Sequence, residues 1–266
     1  MRLVFLGTGT SYGVPQIGCA CRTCRSADPR DRRTRTAALI EAGDRRVLID
    51  TPPELRLQLV AAGVAAVDAV LLTHAHADHL HGIDDLRAIS ARHPGGPGGP
   101  GGRLEVFGSA DTLAEVGRRF GYIFDETPAQ PGTSKPELAA RTLEAGRETA
   151  IAGLPVLPLA LPHGDRTVFG YRVGPLAYVT DVKAVPEAAA ARLAGLDVLV
   201  LNALLSRPHP LHLSIPEAVE TARRIGARRT FLTHLTHETP HAELAARLPD
   251  GIAPAYDGLA IEVSGL

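Results

Sequence analysis

The segment Thr73-His74-Ala75-His76-Ala77-Asp78-His79 constrains this chain more than any other, because four ligand-type side chains fall within six residues. It directly follows the apolar run Ala69–Leu72, which reads as a buried strand, so the cluster sits where a strand ends. Ligands two apart on an extended loop project to the same side. His74 and His76 can therefore bind one ion, while Asp78 and His79 turn toward a second. Imidazole with carboxylate suits Zn²⁺ or Mn²⁺, and an imidazole-rich set leans to zinc. A chance polar loop is a poor account of four such residues in one place.

Three more ligand-type residues stand at strand ends. His163 closes the apolar run Val156–Leu161, Asp181 follows Ala177–Thr180, and His234 follows Thr230–Thr233. That is the edge where α/β enzymes place their chemistry. A carboxylate such as Asp181 can bridge two cations about 3.5–4 Å apart. Further strands are expected at Leu3–Leu6, Ala37–Glu41, Val47–Asp50, Leu104–Phe107, Val168–Val173 and Val198–Leu201. Helices are expected at Pro53–Ala62, closed by Gly63, and at Leu80–Arg92, Ser109–Phe120, Pro186–Ala194, Ile215–Ile225 and His241–Leu248. Strands first, then strand–helix alternation in both halves, gives two sheets sandwiched between helices. Pro128–Thr149 is ambiguous, and the Gly/Pro tract His93–Gly102 reads as a flexible surface loop rather than a boundary. One domain over residues 1–266 is the expectation.

Composition narrows the function. The chain is 45% apolar and 21% charged with a formal net charge of −1, which argues against a protein that coats nucleic acid. No stretch approaches a membrane span, and Leu3–Leu6 is too short for a signal-peptide core, so a cytoplasmic protein is expected. Cys19, Cys21 and Cys24 lie too close together for a disulfide framework; three thiols in such spacing point to metal. A tetrahedral zinc site would need one more ligand. A catalytic cysteine is disfavoured, since no base lies beside any of the three.

Taken with Gly7-Thr8-Gly9-Thr10, Gly13-Val14-Pro15, Gly18-Cys19-Ala20-Cys21-Arg22-Thr23-Cys24, Phe169-Gly170-Tyr171, Leu232-Thr233-His234-Leu235-Thr236-His237 and Tyr256-Asp257-Gly258, these motifs resemble the metallo-β-lactamase superfamily. Within it the chain is similar to the phosphoribosyl cyclic phosphodiesterases of carbon–phosphorus lyase pathways, over nearly its whole length. The resemblance implies an αββα sandwich. It implies that His74, His76 and His163 bind one metal, that Asp78, His79 and His234 bind the other, and that Asp181 bridges. It also implies a structural zinc on Cys19, Cys21, Cys24 and His237. His212, in Leu211-His212-Leu213-Ser214, would contact the phosphate and give a proton to the leaving oxygen, a task suited to an imidazole near pH 7. A helix cap is the bland alternative for His212, though Ser214 could fill that role alone. Asp78 and His212 are thus the candidate catalytic residues.

The expected activity is hydrolysis of a small phosphodiester, a cyclic ribose or nucleotide-like ester, without membrane or nucleic-acid partners. The sequence leaves the oligomeric state open, a homodimer included. The rivals are a tRNA 3′-end endonuclease, against which stands the lack of a basic arm, and a non-catalytic quinone-cofactor carrier, against which stands the intact ligand set. Arg22, Arg25, Arg30, Arg32, Arg33 and Arg35 read as a solvated loop, with an anion-guiding rim as the alternative. Asp84 and Asp85 suit a helix first turn, Arg87 could reach substrate, and His209 lies close enough to His212 to line a pocket.

Overall fold

The computed structural model describes residues 1–93, 103–125, 127, 130 and 132–264. Two seven-stranded sheets face each other. The first runs in the order β14 (Ala260–Glu262), β1 (Arg2–Gly7), β2 (Ala37–Ala42), β3 (Arg45–Ile49), β4 (Ala69–Leu71), β5 (Leu104–Gly108) and β6 (Leu138–Thr142). The second runs β13 (Ile252–Pro254), β12 (Arg229–Thr233), β11 (Val198–Asn202), β10 (Leu176–Val179), β9 (Arg166–Val173), β8 (Leu154–His163) and β7 (Thr149–Ile151).

Alternation along the strands builds three apolar layers. Leu3 and Phe5 of β1 point into the layer between the sheets, beside Tyr171, Tyr178 and Val200. Val4 and Leu6 point the other way, onto Leu55 and Leu59 of α1 (Leu55–Ala61) and Val116 of α4 (Ala110–Phe124). In β11, Val198 and Val200 face inward, while Leu199 and Leu201 pack with Ala218 and Ile225 of α6 (Ile215–Ile225) and Leu244 of α7 (His241–Arg247). Each fully buried side chain of this size contributes about 1.5–3 kcal/mol, so a slip of one residue would be costly on both faces. The result is the αββα sandwich.

Strands β3 to β6 are mutually parallel, as are β10 to β13. β9 is antiparallel to both β8 and β10, so β8 and β10 run the same way and end at the same rim. The ends of these strands carry the site.

Several elements differ from the sequence expectation. Leu80–Arg92 is not one helix but α2 (Ala77–Leu80), a 3-10 turn (Ile83–Leu86) and α3 (Arg87–Ser90). The break has a steric cause at Gly82, whose amide donates to Thr51 O at 2.8 Å. A Cβ there would lie 1.9 Å from the Pro52 carbonyl oxygen, so the chain turns against the loop after β3. The short strands β6, β7, β13 and β14 were not anticipated. Ser109 caps α4 by accepting from Thr112 N, and Gly63 closes α1 with φ of 65°, as its position suggested. The tract 94–102 lies outside the described residues, as do 128, 129 and 131 of the ambiguous stretch.

Candidate metal centre

Each expected ligand emerges at the common rim. His74 and His76 lie in the loop after β4, Asp78 and His79 open α2, His163 ends β8, Asp181 follows β10, and His234 follows β12. Asp50, Asp181 and His234 take left-handed backbone conformations, with φ of 63°, 58° and 57°. Such conformations cost about 1–3 kcal/mol each in non-glycine residues and persist only where neighbours enforce them. The enforcement is visible. Asp50 N donates to Leu71 O at 2.9 Å, and Leu235 N donates to Thr8 O at 2.8 Å. Val182, next to Asp181, is clamped by the Asn202 side chain, which accepts from Val182 N at 2.8 Å and donates to Val182 O at 3.2 Å.

The ligand atoms form two groups that share Asp181. His74, His76, His163 and Asp181 make one; Asp78, His79, Asp181 and His234 make the other, and within each group the atoms lie within 4.8 Å of one another. Asp181 Oδ2 stands 3.7 Å from His74 Nε2 and 3.4 Å from His79 Nε2, and its Oδ1 stands 3.3 Å from His234 Nε2. Hydrogen bonds fix which nitrogen of the His74, His79 and His163 rings is left over. Asp50 Oδ2 accepts from His79 Nδ1 at 2.7 Å and from the Thr73 hydroxyl at 2.8 Å; that hydroxyl in turn accepts from His74 Nδ1 at 3.0 Å. His163 Nδ1 donates to Leu211 O at 3.1 Å. The Nε2 atoms of His74, His79 and His234 are buried without any hydrogen-bond partner. Buried polar atoms are rarely left so. Lone pairs converging on a carboxylate are what a divalent cation needs.

Electrostatics agree. Burial, then the neighbouring His79, holds His74 well below the usual range, leaving its Nε2 able to donate a lone pair. Burial pushes His79 down too, but Asp181, Asp78 and Asp50 outweigh it and hold it well above the usual range. That surplus of negative charge calls for a positive partner at Nε2, a proton or a cation in its place. Burial would raise Asp181, yet His234, His79 and His74 hold it well below the carboxylate range.

His212 belongs to neither ligand group. Its Nδ1 lies 4.0 Å from Asp181 Oδ2, and its ring stacks on His234 with centroids 4.9 Å apart. Burial, then His234, brings it down to about 3, so it is neutral at pH 7 before any anion arrives. It does not cap α6, because Ser214 does so in a full capping box with Glu217.

A third group joins Cys19, Cys21, Cys24 and His237. His237 Nδ1 lies 3.2, 3.4 and 3.5 Å from the three sulfurs in turn. A base does therefore sit beside the cysteines, contrary to the sequence reading. It faces all three alike, as a fourth ligand would, rather than pairing with one nucleophile. Cys21 is brought down to about 6, chiefly because the Cys24 amide donates to its sulfur, and burial pushes Cys24 up to about 11.

The arginine-rich loop needs a correction. Arg25, Arg30 and Arg32 are exposed, but Arg33 is 1% exposed. Its guanidinium pairs with Asp31 at 3.3 Å and donates to the carbonyls of Thr236 and Thr239, so it props up the loop that bears His234 and His237. Arg87 is engaged by Asp84 and the Ser134 carbonyl rather than by the site. His209 does approach His212, with ring centroids 5.2 Å apart. Sequence reasoning missed Asp50, Asn202 and Arg33 as supports. The one available signal was an acid ending the apolar run Val47–Asp50.

A family model for the beta-lactamase superfamily domain matches residues 45–235. An octanoyltransferase of Porphyromonas gingivalis is 40% identical over 263 residues, 97% of this chain, but this chain spans only 51% of that protein. A ribonuclease Z of Mycobacterium sp. (strain KMS) is 30% identical over 230 residues, covering 77% of this chain and 79% of that protein. The crystal structure of a new diphosphatase from the PhnP family matches with a TM-score of 0.89 at 37% identity, covering 98% of this chain and 97% of its own. A domain match over the greater part of the residues, with a fold shared end to end with a solved structure, leaves one assignment: the chain belongs to the metallo-β-lactamase superfamily.

Proposed function

We propose that this chain is a metal-dependent hydrolase that opens a small phosphodiester, a cyclic ribose or nucleotide-like ester, at a centre for two cations. The observation that carries the reading is Asp181 shared between two ligand groups, with His212 standing 4.0 Å from it and outside both. The names of two relatives, a diphosphatase and a ribonuclease, support hydrolysis at phosphorus, and the ribonuclease that of a phosphodiester. On this reading His74, His76 and His163 hold one ion (Zn²⁺ or Mn²⁺), Asp78, His79 and His234 the other, and residues 1–266 act as one domain. Cys19, Cys21, Cys24 and His237 hold a structural zinc. Two divalent ions so placed would supply a nucleophile at neutral pH and neutralise phosphate charge.

The chain's own residues do the rest. Asp181 sets the spacing of the two groups, and Asp50 orients His74 through Thr73 and His79 directly. Asp78, held well below the carboxylate range despite burial by His79 and His234, stays ionised beside the substrate. His212, neutral at rest, takes a proton from solvent when the anionic phosphate settles beside it and passes it to the leaving oxygen.

The specific alternative is a tRNA 3′-end endonuclease, which the ribonuclease Z relative keeps in play. Hydrolysis of ribose 1,2-cyclic phosphate and cleavage of a tRNA precursor should be compared across a salt series. A protein gripping many phosphates loses affinity steeply with salt, whereas a small ester should show little dependence. Efficient, salt-sensitive trailer removal without cyclic-phosphate turnover would replace the phosphodiesterase reading with the endonuclease.

A further inference from the structure

A groove of about 380 Å³ opens beside the centre, and Tyr12, Gln16, Leu204, Arg207 and His209 are among the residues that line it. That volume is within the range of about 300–1,000 Å³ usual for small-ligand pockets. Its near end adjoins the candidate general acid: the His209 ring lies 5.2 Å from His212, and Leu204 N donates to Leu213 O at 2.9 Å. His237 of the thiol cluster also lines it. His212 thus touches both His234 of the centre, at 4.9 Å between ring centroids, and His209 of the groove lining, at 5.2 Å.

The lining has hydrogen-bonding capacity to spare. Among the described residues, neither the Tyr12 hydroxyl nor the Gln16 side-chain amide has a partner, and His209 uses only Nδ1, which accepts from Leu211 N. Tyr12 is 70% exposed, an aromatic ring left for something to cover. The groove's charges cancel, because Arg207 pairs with Glu238 at 3.1 Å and both line it. A second phosphate would meet the Glu238 carboxylate. A neutral planar ring would meet an aromatic face and neutral donors and acceptors.

We infer that this groove is the leaving-group subsite and that it takes a nucleobase carried on the sugar whose oxygen departs. Tyr12 stacks on the base, and Gln16 and His209 read its edge. The inference rests on the phosphodiesterase reading, and two measurements keep the two ideas separable. The first compares KM for adenosine 2′,3′-cyclic phosphate with KM for base-free ribose 1,2-cyclic phosphate, in the parent, Tyr12→Ala and Tyr12→Phe. Stacking on one aromatic ring is large enough that Tyr12→Ala should raise the ratio of the two KM values about tenfold, while Tyr12→Phe keeps it near the parent ratio. The second titrates adenosine into the parent and into Tyr12→Ala by calorimetry, which needs no turnover. Binding should weaken by a similar factor in the variant, and an unchanged circular dichroism spectrum would show that the exposed substitution leaves the fold intact. Turnover of both esters with an unmoved KM ratio and no adenosine binding overturns the groove and spares the phosphodiesterase. Adenosine binding that depends on Tyr12, with neither ester hydrolysed, keeps the groove and overturns those substrates. Neither binding nor turnover overturns both.

Discussion

A neutral imidazole held against the rings of His234 and His209 can serve as an acid only after an anion has raised its affinity for a proton. If that is the task of His212, the His212→Ala variant should lose about 10²–10⁴-fold in kcat on an alkyl-leaving diester. The loss should be much smaller on a nitrophenyl ester, whose leaving group needs little protonation, and elemental analysis should find the metal content unchanged. Equal losses on both esters would leave His212 a phosphate-binding role only. The seven centre residues were legible as candidates because ligand-type side chains stand at the ends of apolar runs, whereas His212 came forward only through the family resemblance. Asp50 was not, because its part depends on contacts with Thr73 and His79, 23 and 29 residues away. Arg33 misled for a related reason: charge predicts solvent, and only the fold supplies Asp31 and two carbonyls to replace it.

Strand β1 is followed by the loop that carries the three cysteines, and β12 by the loop that carries His234 and His237, so the thiol cluster joins two elements remote in sequence. A closed zinc site contributes directly to folding free energy. Cys21→Ser should therefore lower the melting temperature and release one zinc per chain, whereas Asp181→Ala should abolish turnover with the fold retained. A Cys21→Ser protein that melts like the parent with its zinc retained would refute the cluster's assignment. Asn202, the last residue of β11, makes a second cross-element tie through Val182. Asn202→Ala leaves the buried Val182 N–H unpaired at a cost of about 1–3 kcal/mol, while the Val182 carbonyl keeps the Leu213 N–H at 2.8 Å. Because the freed backbone adjoins Asp181, kcat should fall while KM for the same ester changes little, and an unchanged kcat would make the clamp purely structural. Long strands such as β8 were readable from their apolar runs. The three-residue strands β13 and β14 were not, since so short an edge needs only a neighbour to pair with and leaves little pattern of its own.

Across the whole molecule, Asp197 gathers three partners: Arg228, Arg229 at 2.8 Å, and the Ser264 amide at 2.8 Å. Burial would raise it, but Arg228, the Ser264 N–H and Arg229 bring it down to about 2. A depressed carboxyl stabilises the fold above its unfolded value, near pH 4, and that stability is lost as the pH falls toward 2. Because Arg228 is 61% exposed, solvent limits the gain to about 1 kcal/mol. Asp197→Asn should show a lower urea midpoint than the parent at pH 7 and the same midpoint near pH 2; a gap that persists in acid would exclude the ionic explanation. The sandwich itself was foreseeable from strand alternation, but the pairing order of its strands was not, because nothing in a strand's own residues names its neighbour. One further property follows from where the ligand groups lie. Each of the three draws residues from both sides of the seam, the cysteines, His74, His76, Asp78 and His79 from the first sheet's loops and His163, Asp181, His234 and His237 from the second's. Ions bound there would act as rivets along one rim. Whatever pries the two halves apart at that rim should then weaken the hold of these groups on their ions.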